Sequence, residues 1–214
     1  MRVQVAFTPA DAVDAPLGIV VDVLRATSTI AQALASGYER VLCCREVDQA
    51  RALREELGDA AVVGGERNAI LVEGFDLGAS PRDYLDPRAR TAIMTTTNGT
   101  RLLLTTAARC EEVLVASLLN LDAVAAAARE RGEDLAILCA GFQGTFALDD
   151  AYCAGRIVQL LGGDPSDSAK AADAIARAWP DAHEYDPLVV RRLRRLRDRR
   201  RRARFEGRSA DQPR

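Results

Sequence analysis

Five carboxylates, Asp22, Glu66, Asp76, Asp149 and Asp150, and two arginines, Arg25 and Arg67, lie in or beside Gly- and hydroxyl-rich turns. Carboxylate oxygens are the hard donors that Mg²⁺ prefers, and fixed guanidinium charges pair with small anions. Metal and anion together point to phosphoryl chemistry. The densest group is in GIVVDVLRATSTIAQALASG, Gly18 to Gly37, where Asp22, Arg25, Thr27, Ser28 and Thr29 fall at a strand-to-helix turn. Free backbone N–H groups at such a turn suit a phosphate. The same residues also admit a local reading: an Asp22–Arg25 ion pair and a Ser/Thr helix cap. Thr95 to Thr100 concentrates four threonines, Asn98 and Gly99 directly after an apolar run, and functional use is the better reading there. For Asp149 and Asp150, early in a helix, attraction to the helix dipole competes with metal binding. Glu66-Arg67 after a Gly-Gly pair, and Gly74 to Pro81, also read as ordinary surface turns.

Several chemistries are excluded. A CxxxxxR nucleophile loop from Cys139 would need Arg at the position of Thr145, and the DxDx[TV] pattern meets Leu24 and Ala26. With His183 as the single histidine, histidine phosphatase chemistry and a tetrahedral zinc site both lack ligands. Lys170 is the only lysine and GK[ST] is absent, which excludes the lysine-dependent phosphate loop.

The positioning elements alternate. Val3 to Phe7, Gly18 to Val23, Arg40 to Cys44, Ala60 to Val63, Thr91 to Thr95, Glu112 to Ser117 and Leu135 to Ala140 read as strands. Helices are expected from Thr29 to Leu34, ending at Gly37, and over Val47 to Leu57, capped by Asp48 and supported by an Arg51–Glu55 pair. Others follow Thr100 through Ala108, cover Leu121 to Arg131 with Asn120 as cap, carry Asp149 and Asp150, and lie within Asp164 to Pro180. Asn68 to Asp86 reads as one long loop without periodicity. The alternation predicts a layered α/β/α fold with a mostly parallel or mixed sheet. In such folds ligands collect at the carboxyl ends of strands, so the turns at Asp22–Ser28, Thr95–Thr100 and Cys139–Thr145 can face one site.

The chain of 214 residues, 48% hydrophobic, can bury one core or two lobes sharing one. No membrane span or secretory leader is expected, and five cysteines without CxxC spacing read as reduced, mostly buried thiols in the cytoplasm. The net charge of −2 conceals a segment, Arg191 to Arg208, with eleven arginines and two acids. Beyond Arg197 that run reads as a solvated or disordered tail, and the chain divides into a domain of residues 1–185 and an Arg-rich helix or tail, partly disordered, of residues 186–214. Val189, Leu193 and Leu196 would dock one helical stripe of it.

VDVLRATSTIAQALASG, GGER, GFDLGASP, TTTNGTR, AGFQGTFALDD and the following Ala-Gly-Arg-Ile-Val, in this order over roughly residues 1 to 165, resemble the 2-phosphosulfolactate phosphatase family. The resemblance implies a Mg²⁺-dependent phosphoric monoester hydrolase of coenzyme M biosynthesis, cytoplasmic and homodimeric, that converts 2-phosphosulfolactate or a similar small acid to its alcohol and phosphate. It implies Asp22, Glu66, Asp76, Asp149 and Asp150 as candidates for Mg²⁺ ligation. Asp22, Arg25, Glu66 and Asp149 become the catalytic candidates, and Thr27, Ser28, Arg67, Asn98, Gly99 and Thr100 the candidates for phosphate and sulfonate oxygens. Past Leu161 the chain departs from the family pattern. The alternative is a non-catalytic anion-binding protein of the same fold whose Arg-rich tail contacts nucleic acid; membrane and nucleic acid are otherwise not expected partners.

Overall fold

The apolar run around Gly18–Val23 forms an interior strand of a five-stranded sheet, β2 (Leu17–Val21), every residue of which is buried. Continuous apolar runs of this kind belong to parallel strands covered on both faces. The computed structural model describes residues 1–11 and 13–179. Its elements in chain order are β1 (Arg2–Ala6), β2, α1 (Ala26–Ser36), β3 (Arg40–Cys43), α2 (Val47–Leu57), β4 (Ala61–Arg67), β5 (Ile70–Leu71) and β6 (Thr91–Thr95). They continue with α3 (Gly99–Ala107), β7 (Glu112–Ala116), α4 (Leu121–Arg131), β8 (Leu135–Cys139), α5 (Leu148–Leu161), β9 (Asp164–Pro165) and α6 (Asp167–Ala178). The chain divides into one unit of Met1–Ala176 and another of Arg177–Arg214. His183, the stripe of Val189, Leu193 and Leu196, and the Arg-rich tail lie outside the described residues.

The fold is layered α/β, and the strands fall into two sheets, ordered β7-β2-β8-β1-β9 and β3-β6-β4-β5. All pairings are parallel except the β4–β5 hairpin. Alternation along β2 explains its two covered faces. Leu17, Ile19 and Val21 pack with Val124, Ala128, Cys153 and Ile157 of α4 and α5, while Val20 joins Leu102 of α3 and Leu138. In the second sheet Met94 and Val62 meet Ile30 and Ala33 of α1 with Tyr84, and Ile93 and Val63 meet Ala50 of α2 with Phe75.

Three local expectations are corrected. The α2 boundaries hold, but its capping box is formed by Glu46 and Gln49 rather than by Asp48, and Arg51 pairs with Asp48 at 3.6 Å, not with Glu55. Asn120 sits at the start of α4 without capping it: its amide accepts the Ser117 N–H and donates to the Val115 carbonyl. Residues 68–86 are not one loop. They contain β5, the bridge of Gly64 to Leu77 and a 3-10 turn, Pro81–Tyr84.

Candidate active site

β2 delivers Asp22 at its carboxyl end, 6% exposed. The turn that follows is built by its own hydroxyls. The Asp22 N–H donates to Thr27 Oγ1 at 3.0 Å, whose hydroxyl donates to the Asp22 carbonyl at 2.8 Å. Ser28 donates to the Val23 carbonyl at 2.8 Å. Thr29 Oγ1 stands 2.9 Å from the carbonyls of Arg25 and Ala79. These hydroxyls replace main-chain partners that the turn lacks, so Thr27 and Ser28 shape the turn. The Leu24–Arg25 peptide is cis.

Three buried carboxylates then stitch neighbouring turns together through backbone N–H groups. Asp22 accepts from Ala26 at 3.3 Å in its own turn and from Gly99 at the start of α3. Glu66, at the end of β4, accepts the Thr97 N–H at 2.7 Å, the Thr97 hydroxyl at 3.1 Å and the Ala69 N–H. Asp150, on α5, accepts the Val23 N–H at 2.8 Å and the Gly141 N–H at 2.9 Å. The links run in series from the β4–β5 hairpin to the β6–α3 turn, the β2–α1 turn and the β8–α5 turn. The turns after β2, β6 and β8 are therefore brought together, from both sheets.

Electrostatics mark the same place. Burial pushes the Asp22 carboxyl up to about 7, with the charges of Asp149 and Glu66 adding to it and the N–H groups of Ala26 and Gly99 opposing. Asp150 is also pushed well up, by burial and then by Asp22 and Asp149. Asp22, Asp149, Asp150 and Glu66 thus form one repelling cluster. Asp76 stands apart: it accepts the Val63 N–H at 2.9 Å and pairs with Arg54 at 3.5 Å. Among the described residues no three Asp, Glu, His or Cys side chains converge closely enough to hold a metal by themselves.

The cationic and polar side chains separate into engaged and unengaged. Arg67 donates to the carbonyls of Glu66 and Arg45 and to Thr95 Oγ1, and burial, then nearby Arg101, lower its pKa. Thr100 is closed on Thr96, each hydroxyl accepting the other's N–H. Arg25, half-buried at the start of α1, forms no ion pair with Asp22, and its guanidinium has no partner among the described residues. Half-buried Asn98, at the start of α3, makes no side-chain cap. Gly99 permits the close approach of α3, since a Cβ there would overlap Asp22 Oδ2. The Gly64-Gly65 pair likewise serves packing: side chains there would overlap the Tyr84 hydroxyl and the Thr95 carbonyl.

Sequence reasoning missed Thr97, Thr96 and Gly141 as site-forming residues. The TTTNGT run signalled the first two. The Cys139–Thr145 turn reads from the sequence as facing the site, but nothing in it singles out Gly141, because the partner Asp150 is brought only by α5.

The described residues contain no helix long and apolar enough to cross a membrane, and all five cysteines are free. The chain is thus a parallel α/β protein with carboxylates and an unpaired guanidinium gathered at its strand ends, where ligands collect in such folds. The family model for 2-phosphosulpholactate phosphatase matches residues 4–198, past the point where the motif resemblance stops. Proteins named "Probable 2-phosphosulfolactate phosphatase" are 40% identical over 174 residues in Thermotoga petrophila (80% of this chain, 74% of the relative) and 40% over 192 residues in Thermus thermophilus (86% and 80%). That of Thermotoga maritima is 39% identical over 174 residues (80% and 74%). The chain belongs to the 2-phosphosulfolactate phosphatase family.

Proposed function

We propose that this chain hydrolyses the phosphate monoester of 2-phosphosulfolactate, giving sulfolactate and phosphate, with Mg²⁺ as cofactor. The observation that carries the reading is the convergence of the Asp22, Asp149 and Glu66 charges at the strand ends, in the turn whose third residue past Asp22 is Arg25, with its guanidinium unpartnered among the described residues. The names of the relatives supply the substrate.

The donor set fits Mg²⁺. Glu66 lies on Thr97 and Ala69, Asp150 on Val23 and Gly141, and Asp76 lies elsewhere; we assign the ion to Asp22 and to Asp149, whose charge acts on it. Mg²⁺ is commonly bound by one or two carboxylates, waters and substrate phosphate, so no three-carboxylate cage is needed. When bound, Mg²⁺ would supply Lewis-acid polarisation of the phosphoryl group.

The Arg25 guanidinium binds two phosphoryl oxygens through its planar fork, and the Asn98 amide donates to a further oxygen. Both groups sit at helix starts, where the helix dipole favours anions. Water adds across the ester P–O bond, its oxygen going to phosphorus and a proton to the departing hydroxyl of sulfolactate. Burial raises the Asp22 carboxyl to about 7 in the metal-free protein, so cation binding there competes with a proton. Thr27, Ser28 and Thr100 fix the turns, and Arg67 braces Thr95 and the Arg45 carbonyl.

Cytoplasmic location follows the free cysteines, and a homodimer follows the family resemblance; light scattering tests the latter. Phosphate release from 2-phosphosulfolactate, with Mg²⁺ and with EDTA, tests the activity. Turnover that Mg²⁺ restores is expected, while binding without turnover would favour the anion-binding alternative.

A further inference from the structure

We infer that Asp150 is a positioning residue that clamps the β2–α1 turn to the β8–α5 turn and thereby aims Asp149, its neighbour on α5, at Asp22. The side chain is 2% exposed. Its Oδ1 accepts the Val23 N–H from the turn that carries Asp22 and Arg25, and its Oδ2 accepts the Gly141 N–H from the turn after β8. Each oxygen therefore points at main chain rather than at a common centre. The two donors each lie two residues past the end of parallel neighbouring strands, β2 and β8, so the carboxylate spans the gap between the turns that follow them. Asp150 begins the buried face of α5 that continues through Cys153, Ala154 and Ile157, which fixes its depth. One residue earlier, half-buried Asp149 lies close enough for its charge to act on Asp22. A clamp at residue 150 sets the separation of Asp149 from Asp22, and with it the geometry of any ion they share.

This inference rests on the phosphatase reading for its kinetic test, and an activity-independent measurement stands beside it. In Asp150→Asn an amide N–H would face a backbone N–H, so one arm of the clamp opens. Folded Asp150→Asn is expected to lose about 10- to 100-fold in kcat. Its KM for the phosphate ester should stay within about twofold of the parent, and kcat should stay low at saturating Mg²⁺, because Asp149 and Asp22 are misplaced even with the ion bound. A kcat restored to the parent value by excess Mg²⁺ would overturn the inference; so would an unchanged kcat. Hydrogen exchange of the unmodified protein needs neither a variant nor turnover. The Val23 and Gly141 amides should be protected without metal and stay protected on adding Mg²⁺ alone. Loss of protection at either amide on adding Mg²⁺ would show Asp150 released to the metal and overturn the clamp. Failure of the parent protein to release phosphate, with both amides protected, would instead count against the phosphatase reading alone.

Discussion

The Gly99 N–H donates to the Asp22 carboxylate, and the missing side chain at residue 99 lets the two meet, since a Cβ there would overlap Asp22 Oδ2 and stand 2.5 Å from Ala26 Cβ. This contact joins the two sheets at their strand ends. It places the start of α3, with Asn98, beside the start of α1, with Arg25.

Gly99→Ala therefore pushes α3 away from Asp22. Overpacking of this kind costs about 1–3 kcal/mol of stability. A displacement on the order of 1 Å in a catalytic arrangement can cost about 10²-fold in rate. Thermal unfolding and phosphate release on the same preparation should show a folded protein with a rate lowered by that order.

The Arg25 guanidinium has no hydrogen-bond or ion-pair partner among the described residues, and the Thr29 hydroxyl bonds only its main-chain carbonyl. Arg25→Ala should leave stability within about 0.5 kcal/mol while kcat falls about 10²- to 10³-fold, as for loss of one charge-stabilising donor. Arg25→Lys keeps the charge and loses the fork, and its rate should lie between. Denaturant unfolding and steady-state kinetics check both halves.

Asp22 predicts a pH dependence in the metal-free protein. Its folded pKa is about 7 against 3.8 for the free side chain, so folding favours the protonated form. That contribution is fully present below about pH 4 and is lost as pH rises to about 7, a change on the order of 4 kcal/mol. Urea unfolding in EDTA should show lower stability at about pH 8 than at about pH 5, and Asp22→Asn should flatten the difference.

The β4–β5 hairpin carries Asn68 and Ala69 at φ 52° and 62°, a two-residue turn of the kind hairpins favour. Left-handed backbone is costly for alanine, and Ala69→Gly should stabilise by about 0.5–1 kcal/mol after the added unfolded-state entropy is offset. Glu66→Gln, which turns an amide toward the N–H groups of Thr97 and Ala69, should destabilise by about 1–3 kcal/mol. Chemical denaturation measures each.

Strongly periodic elements were legible in the sequence. Val47–Leu57 and Leu121–Arg131 fall on their observed bounds, and the run at Gly18–Val23 forms a fully buried interior strand. The hairpin was not legible, because Asn68-Ala69 lacks the glycine that marks such turns and is held by Glu66 and Thr97 from outside it. Hydroxyls were the other blind spot. A run such as Thr27-Ser28 reads equally as an anion cradle or a self-bonded turn, and only backbone geometry decides which carbonyl each hydroxyl finds. Asp76 reads like the other carboxylates in one dimension, yet its neighbour Leu77 bridges to Gly64 and its own partners are Val63 and Arg54.

The central claim is that Asp22 anchors a Mg²⁺-dependent phosphatase site. Phosphate release from 2-phosphosulfolactate by Asp22→Asn, across a Mg²⁺ titration, tests it most directly. The account expects loss of about 10³-fold or more in kcat/KM, with a folded protein by circular dichroism. An Asp22→Asn protein that keeps the parent's Mg²⁺-dependent rate would contradict it.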